Sequence, residues 1–207
     1  MSKIAWIALL ILLGIHQSVL AKEGDDLIGK PAPEWEKLKW LNSDPLELKA
    51  LKAKGKVVLI RWWTNRCPFC KRSADALNEF HKDFSDDGLV VIGMYHPKPY
   101  GRHALMKEIT QATKQFAFEF PIALDMEWKT LINYWFVVGK RRWTSVSFLI
   151  DKAGKIRYIH PGGEYHKKDG QAKRDYLELK AEIKKLLAEP RANAKTQEHK
   201  NAKKNVQ

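Results

Sequence analysis

The sequence predicts an α/β fold: a mixed β-sheet flanked by helices, with a small hairpin added at the N-terminal side and a helical insertion. Three observations predict it. Two apolar, β-branched runs, Lys56 to Trp63 and Leu89 to Tyr95, have the composition of strands buried on both faces. Between them, Ala74, Leu77, Phe80, His81 and Phe84 recur at three- and four-residue spacing, which is helical. Near the C-terminus, Ser145 to Asp151 and Ile156 to His160 flank Ala153-Gly154 as a hairpin.

The chain has 207 residues, enough for one domain with a sizeable core plus tails. Its first 21 residues read as a secretory signal. Lys3 supplies the positive end, Ile4 to Ile15 the apolar run, and Val19 and Ala21 the small positions before a cleavage site. The run falls short of the ~20 residues of a spanning helix; left uncleaved, it would act as a membrane anchor. The expected mature domain covers 22–189, in a periplasmic or otherwise exported, oxidising setting where a disulfide persists.

Within that domain, Lys22 to Pro33 is an extended entry arm punctuated by Gly24, Gly29, Pro31 and Pro33. Trp35 to Leu48 surrounds the turn cluster Asn42-Ser43-Asp44-Pro45 and gives the expected hairpin. The first strand then leads into a helix from Cys67 to about Phe84, closed by Asp86-Asp87-Gly88 before the second strand. A helix over about Arg102 to Phe118, a short strand at Pro121 to Leu124 and a helix over Met126 to Phe136 form the insertion. The closing helix runs from Asp175 to Ala188. Residues 190–207, poor in large apolar side chains, are expected to be a disordered basic tail.

Composition narrows the function. Thirty-seven Lys and Arg against 24 Asp and Glu give a net charge of +13. About eight of those charges belong to the body, which favours acidic partners or anionic lipid heads. A nucleic-acid partner would want basic residues interleaved with aromatics on one element, and the export signal argues against one, so nucleic acid is not an expected partner. There is no Gly-rich phosphate loop, and two cysteines cannot make a four-cysteine zinc site.

Those two cysteines form the strongest motif, Cys67-Pro68-Phe69-Cys70, between a strand and a helix. Sulfurs two residues apart at a first helical turn can close into a disulfide. Free N–H groups and the helix dipole favour a thiolate at Cys67, and Pro68 suits the first helical position. Arg66, Lys71 and Arg72 add positive charge. A thiol pKa well below about 8.5 is therefore expected at Cys67, which acts as nucleophile while Cys70 resolves the mixed disulfide. The β-α-β order requires the first two strands to be parallel, and such sheets place sites beyond their carboxyl ends. Four segments meet there: Cys67, Tyr95-His96-Pro97, Thr144-Ser145, and His160 to Glu164. Trp63, Pro68, Phe69, His96, Thr144 and Ser145 are accordingly candidate substrate contacts, although Trp62, Trp63 and Trp143 also suit core or rim packing.

This order of elements is thioredoxin-like, and the motifs resemble a particular branch. Trp62-Trp63-Thr64-Asn65-Arg66-Cys67-Pro68-Phe69-Cys70, Val90-Val91-Ile92-Gly93 and Phe148-Leu149-Ile150-Asp151-Lys152-Ala153-Gly154-Lys155-Ile156 are similar to the TlpA/DipZ-like branch of the thioredoxin superfamily. The resemblance covers residues 24 to 189. It implies an exported thiol–disulfide oxidoreductase whose redox centre is a Cys67–Cys70 disulfide, with no further cofactor; the chain is expected to be a monomer. The implied partners are protein dithiols or disulfides and a redox donor or acceptor, often membrane-held; the direction of electron flow stays open.

Two positions depart from that pattern. Ser145, after Thr144, stands where the family usually has a cis-proline. A non-proline cis bond costs roughly 2.5–4 kcal/mol, so a trans Thr144–Ser145 peptide is expected. Arg61 stands where thioredoxins keep a buried acid as proton carrier, and arginine cannot accept that proton. Glu164 or His160 is the expected substitute base; the plainer reading pairs Glu164 with Arg61. Two rival functions are a copper or zinc module, with His96 or His160 completing the two sulfurs, and a thiol peroxidase suggested by Thr64-Asn65-Arg66-Cys67. The latter lacks the proline expected four residues before Thr64, where Ile60 stands.

Overall fold

A computed structural model describes residues 22–137, 139 and 141–191. The signal-like segment 1–21 and tail residues 192–207 lie outside the described residues. Six strands form one sheet in the order β1-β4-β3-β2-β5-β6. They are β1 (Lys39–Leu41), β2 (Val57–Trp63), β3 (Leu89–Tyr95), β4 (Ile122–Leu124), β5 (Ser147–Ile150) and β6 (Ile156–His160). The helices are α1 (Leu48–Ala53), α2 (Pro68–Phe84), α3 (Met106–Gln115), α4 (Lys129–Leu131) and α5 (Gly170–Ala188).

β2 and β3 are parallel over their whole length, Val57 opposite Leu89 and Trp63 opposite Tyr95. β5 and β6 form the expected antiparallel hairpin, with a register irregularity at Leu149/Ile150. Every residue of β2 is buried, and successive side chains alternate between the two sheet faces. Val57, Leu59 and Trp63 pack with Leu77 and Phe80 of α2, Ile109 of α3 and Leu179 and Ile183 of α5. Val58, Ile60 and Trp62 pack on the other face with Leu51 of α1, Leu131 of α4 and Trp135. Arg61 shares the parity of Leu59 and Trp63, so its charge enters the face that carries α2.

Four expectations need correction. The N-terminal hairpin does not form. β1 instead pairs antiparallel with β4, Trp40 opposite Ala123, and the expected second arm gives way to α1. The Glu34 carboxylate accepts the backbone N–H groups of Leu48 and Lys49 at 2.5 and 2.9 Å and so fixes the start of that helix. The insertion helix is shorter than Arg102–Phe118. It ends where Ala117 turns left-handed (φ 52°), with Ala117 N–H bonded to Lys114 O and Phe118 N–H to Thr113 O.

The helix expected over Met126–Phe136 begins only at Lys129 and widens into a π-helical turn over Ile132–Phe136. Buried Asp125 collects the N–H groups of Thr130 and Leu131 and the Trp62 indole, anchoring that start. α5 begins at Gly170, ahead of Asp175. At the far end Pro190 and Arg191 are placed, the Arg191 guanidinium donating to the Lys54 carbonyl.

Candidate functional site: a dithiol under one hydroxyl

β2 delivers the chain to the carboxyl edge of the sheet, and a tight turn reverses it, Cys67 N–H bonding Thr64 O at 3.3 Å. Cys67 is the N-cap of α2, with extended dihedrals and its sulfur accepting the Cys70 N–H at 3.2 Å. Pro68 occupies the first helical position. Cys67 is half-buried and Cys70 is 1% exposed, both as free thiols. One sulfur is reachable and the other is covered by its own helix.

Ser145 closes the site from the β5 side. Its hydroxyl stands 3.5 Å from Cys67 Sγ and 3.4 Å from Cys70 Sγ. Lys98–Pro99 is the only cis peptide among the described residues, so Thr144–Ser145 is trans, as expected. Where proline would offer no donor, serine puts a hydroxyl on both sulfurs.

Arg61 is 1% exposed. Its Nη2 donates to the Gly163 carbonyl at 2.7 Å and its Nη1 to Ser147 Oγ at 3.3 Å. Its guanidinium lies 5.1 Å from the Tyr165 ring centre, and the Tyr165 hydroxyl meets Ser147 Oγ at 3.1 Å. No carboxylate lies within ion-pair distance of Arg61 among the described residues. A buried cation without a carboxylate favours any anion that forms nearby.

The two thiols consequently diverge. The hydrogen bond from the Cys70 thiol lowers Cys67 most; the Ser145 hydroxyl, the Cys70 N–H and the Arg61 charge add to it. Together they overcome partial burial and bring Cys67 down to about 5. Burial, and then the bond to Cys67, push Cys70 well above an ordinary thiol, Arg61 opposing. The reachable sulfur is an anion at neutral pH and the buried one keeps its proton. That division suits attack by one and resolution by the other.

The remaining candidates separate. Glu164 pairs with Arg72 of α2, not with Arg61. The plainer pairing is thereby corrected: Arg61 turns to the neighbouring Gly163 carbonyl. His160 is buried, its Nε2 at 3.1 Å from Asp175 and its ring edge-on to Tyr165. Burial lowers its pKa, Asp175 opposing.

Trp63 and His96 are 1% and 0% exposed, so a docked substrate meets neither side chain. Trp63 packs among Tyr95, Phe116 and Phe118. His96 lies edge-on to Trp128 with neither ring nitrogen bonded, and burial, then Lys98, hold its pKa near 3. Pro68 is exposed, and Phe69 and Thr144 partly so. Among the described residues no His, Cys, Asp or Glu joins the two sulfurs as a third metal ligand. The Thr64 hydroxyl meets Asn65 Oδ1 at 3.4 Å. Ser147 and Tyr165 complete the buried polar layer, with half-buried Asp175 at its edge, and the three were not singled out by the sequence, because no motif or periodicity marks them.

The AhpC/TSA family profile matches residues 28–159, most of the described chain. The chain belongs to the AhpC/TSA family. Within that family it falls with the TlpA/DsbE-type thiol–disulfide oxidoreductases, in accord with the resemblance of its motifs. It is 30% identical over 175 residues to the thiol:disulfide interchange protein DsbE of Escherichia coli K12, covering 77% of this chain and 85% of that one. It is 33% identical over 131 residues to protein DipZ of Mycobacterium bovis, covering 61% of this chain. The match spans 18% of DipZ's own length. Among solved structures, a thioredoxin-like superfamily protein superposes with a TM-score of 0.61 at 26% identity, over 78% of this chain and 98% of that one. The thioredoxin-like fold class expected from the order of elements is thereby shown.

Proposed function

We propose that this chain is an exported thiol–disulfide oxidoreductase acting on protein dithiols and disulfides through Cys67 and Cys70. One observation carries the reading: a reachable low-pKa sulfur and a buried high-pKa sulfur share one hydroxyl at a helix N-terminus. The relatives named for disulfide interchange support it, and the signal-like segment 1–21 supports export.

In the reducing direction, the Cys67 thiolate attacks one sulfur of a partner disulfide. The Cys67–partner bond forms, the partner's S–S bond breaks, and the departing thiolate takes a proton from solvent. Cys70 then loses its proton and attacks Cys67 Sγ. The Cys67–Cys70 disulfide forms, the second partner thiolate leaves, and two electrons have passed to the partner. Oxidation of a dithiol is the same sequence reversed. Arg61 and Ser145 face the Cys70 thiolate formed in the middle step and stabilise it. Glu164 and His160 are the candidate acceptors for its proton; Glu164→Gln and His160→Gln identify the acceptor by the variant that slows resolution of the mixed disulfide.

The test is an insulin-reduction assay run beside metal analysis of the reduced protein and a peroxide-turnover assay. Insulin reduction that disappears in Cys67→Ser, with neither stoichiometric metal nor peroxide turnover, supports the reading. Bound copper or zinc without reductase activity replaces it with the metal module, and peroxide turnover with the peroxidase. Equilibration with glutathione buffers then gives the reduction potential, which decides the direction of electron flow.

A further inference from the structure

A row of four side chains runs beside the reachable sulfur. The Arg72 guanidinium lies 5.0 Å from the centre of the Phe69 ring. Phe69 meets Trp143 edge-on, with centroids 5.7 Å apart at 79°, and the Arg142 guanidinium lies 5.7 Å from Trp143. Phe69 belongs to the Cys-Pro-Phe-Cys turn, and Trp143 is two residues ahead of Ser145, so the row borders the dithiol itself.

Trp143 is 38% exposed, yet it is held in place. The Trp135 indole donates to its carbonyl at 2.8 Å. Gly162 packs so closely that a Cβ there would stand 2.3 Å from Trp143 Cβ. An exposed aromatic that is already immobilised loses little entropy when a partner covers it, the property of interface anchors.

Charge decides what covers it. Arg66, Lys71 and Arg142 are exposed around this rim, and none forms an ion pair among the described residues. Glu164 is taken up by Arg72 and Glu23 by the Arg142 backbone N–H, which leaves the side chains of Arg66, Lys71 and Arg142 without a salt-bridge partner among the described residues; beside one thiolate they attract negative groups and repel positive ones. We propose that the Arg72–Phe69–Trp143–Arg142 row is a docking strip for an acidic segment of a partner protein, Asp or Glu residues flanking the cysteine that exchanges with Cys67. The inference rests on the oxidoreductase reading and adds the class of substrate to it. A peptide occupant fits better than a lipid surface, because the row is one side chain wide and adjoins the sulfur that must meet the partner's sulfur.

The test is single-turnover exchange between the reduced full-length chain and three disulfide peptides that differ only in flanking Asp, Asn or Lys. The Asp peptide should react about tenfold faster than the Lys peptide at low ionic strength, and the ratio should approach one at about 0.5 M salt. In Arg66→Gln/Arg142→Gln the low-salt ratio should fall below about threefold. Reading the ratio cancels any general change in thiol reactivity.

Equal rates for all three peptides, or a ratio that the double variant leaves untouched, would overturn the docking strip and leave the oxidoreductase reading intact. Exchange with none of them would sink that reading itself. Sedimentation with vesicles of phosphatidylcholine and phosphatidylglycerol provides the remaining comparison. Vesicle binding without a peptide preference reassigns the charges to a membrane and overturns the proposal.

Discussion

The hydroxyl of Ser145 lies 3.4 Å from the sulfur of Cys70. It also lies 3.5 Å from Cys67 Sγ, at the position that carries a cis-proline in the proteins these motifs resemble. A hydrogen bond to a charged group contributes about 1.5–3 kcal/mol, and one pKa unit corresponds to 1.36 kcal/mol. Ser145→Ala should therefore raise the Cys67 pKa by about one to two units. Absorbance of the thiolate against pH checks it; an unmoved titration would show that the hydroxyl does not bond the sulfur anion.

Arg61 is the buried charge of the site, and its removal should act on the redox equilibrium. Thiolate stabilisation favours the reduced form, so Arg61→Met makes the couple more reducing. Each unit by which the thiol pKa rises corresponds to about 30 mV. Equilibration with glutathione measures the shift, and a potential equal to or more oxidising than the parent's would contradict the assignment. Arg61→Lys should not restore the parent value, because an ammonium cannot bridge the Gly163 carbonyl and Ser147 as the guanidinium does.

The depressed Cys67 pKa also gives the reduced protein a defined pH dependence. The thiol lies at about 5 when folded, against 9.0 ordinarily. Its contribution to stability is fully present above pH 9 and is lost as pH falls through 5. Cys70 is shifted upward and keeps its proton when folded; the unfolded chain begins to ionise it only near its ordinary 9.0, so it offsets the effect only at the top of this interval. Urea midpoints of the reduced form should therefore rise relative to the oxidised form between pH 5 and pH 9. A pH-independent difference would be incompatible with the thiolate.

Gly162 supplies a stability test outside the sulfur chemistry. Its φ of 144° and its contact with Trp143 leave no space for a side chain. Gly162→Ala should cost about 1–3 kcal/mol through overpacking and backbone strain, read as a lower urea midpoint at unchanged slope. A midpoint equal to the parent's would show that this rim yields easily.

Much of this site was legible because its determinants are local. The Cys-Pro-Phe-Cys turn, β2, β3 and the closing hairpin depend on neighbours in sequence, and the parity of β2 already sets Arg61 on the face of α2. Long-range pairings were hidden. β1 is three residues long and meets β4 about eighty positions later, so the turn cluster at Asn42-Ser43-Asp44-Pro45 pointed to a hairpin that tertiary pairing overrode. Tyr165 takes part through Ser147, Arg61 and His160, and Asp175 through His160, partners that no spacing rule connects to them. Trp63 and His96 stood at the correct sheet edge, but an edge position does not specify which way a side chain turns.

Disulfide exchange by the parent, Cys67→Ser and Cys70→Ser, followed by stopped flow and by mass spectrometry of trapped adducts, bears most directly on the account. The parent should turn over, Cys67→Ser should neither turn over nor form an adduct, and Cys70→Ser should accumulate a partner joined to Cys67. Turnover that survives in Cys67→Ser, or an adduct absent from Cys70→Ser, would contradict it.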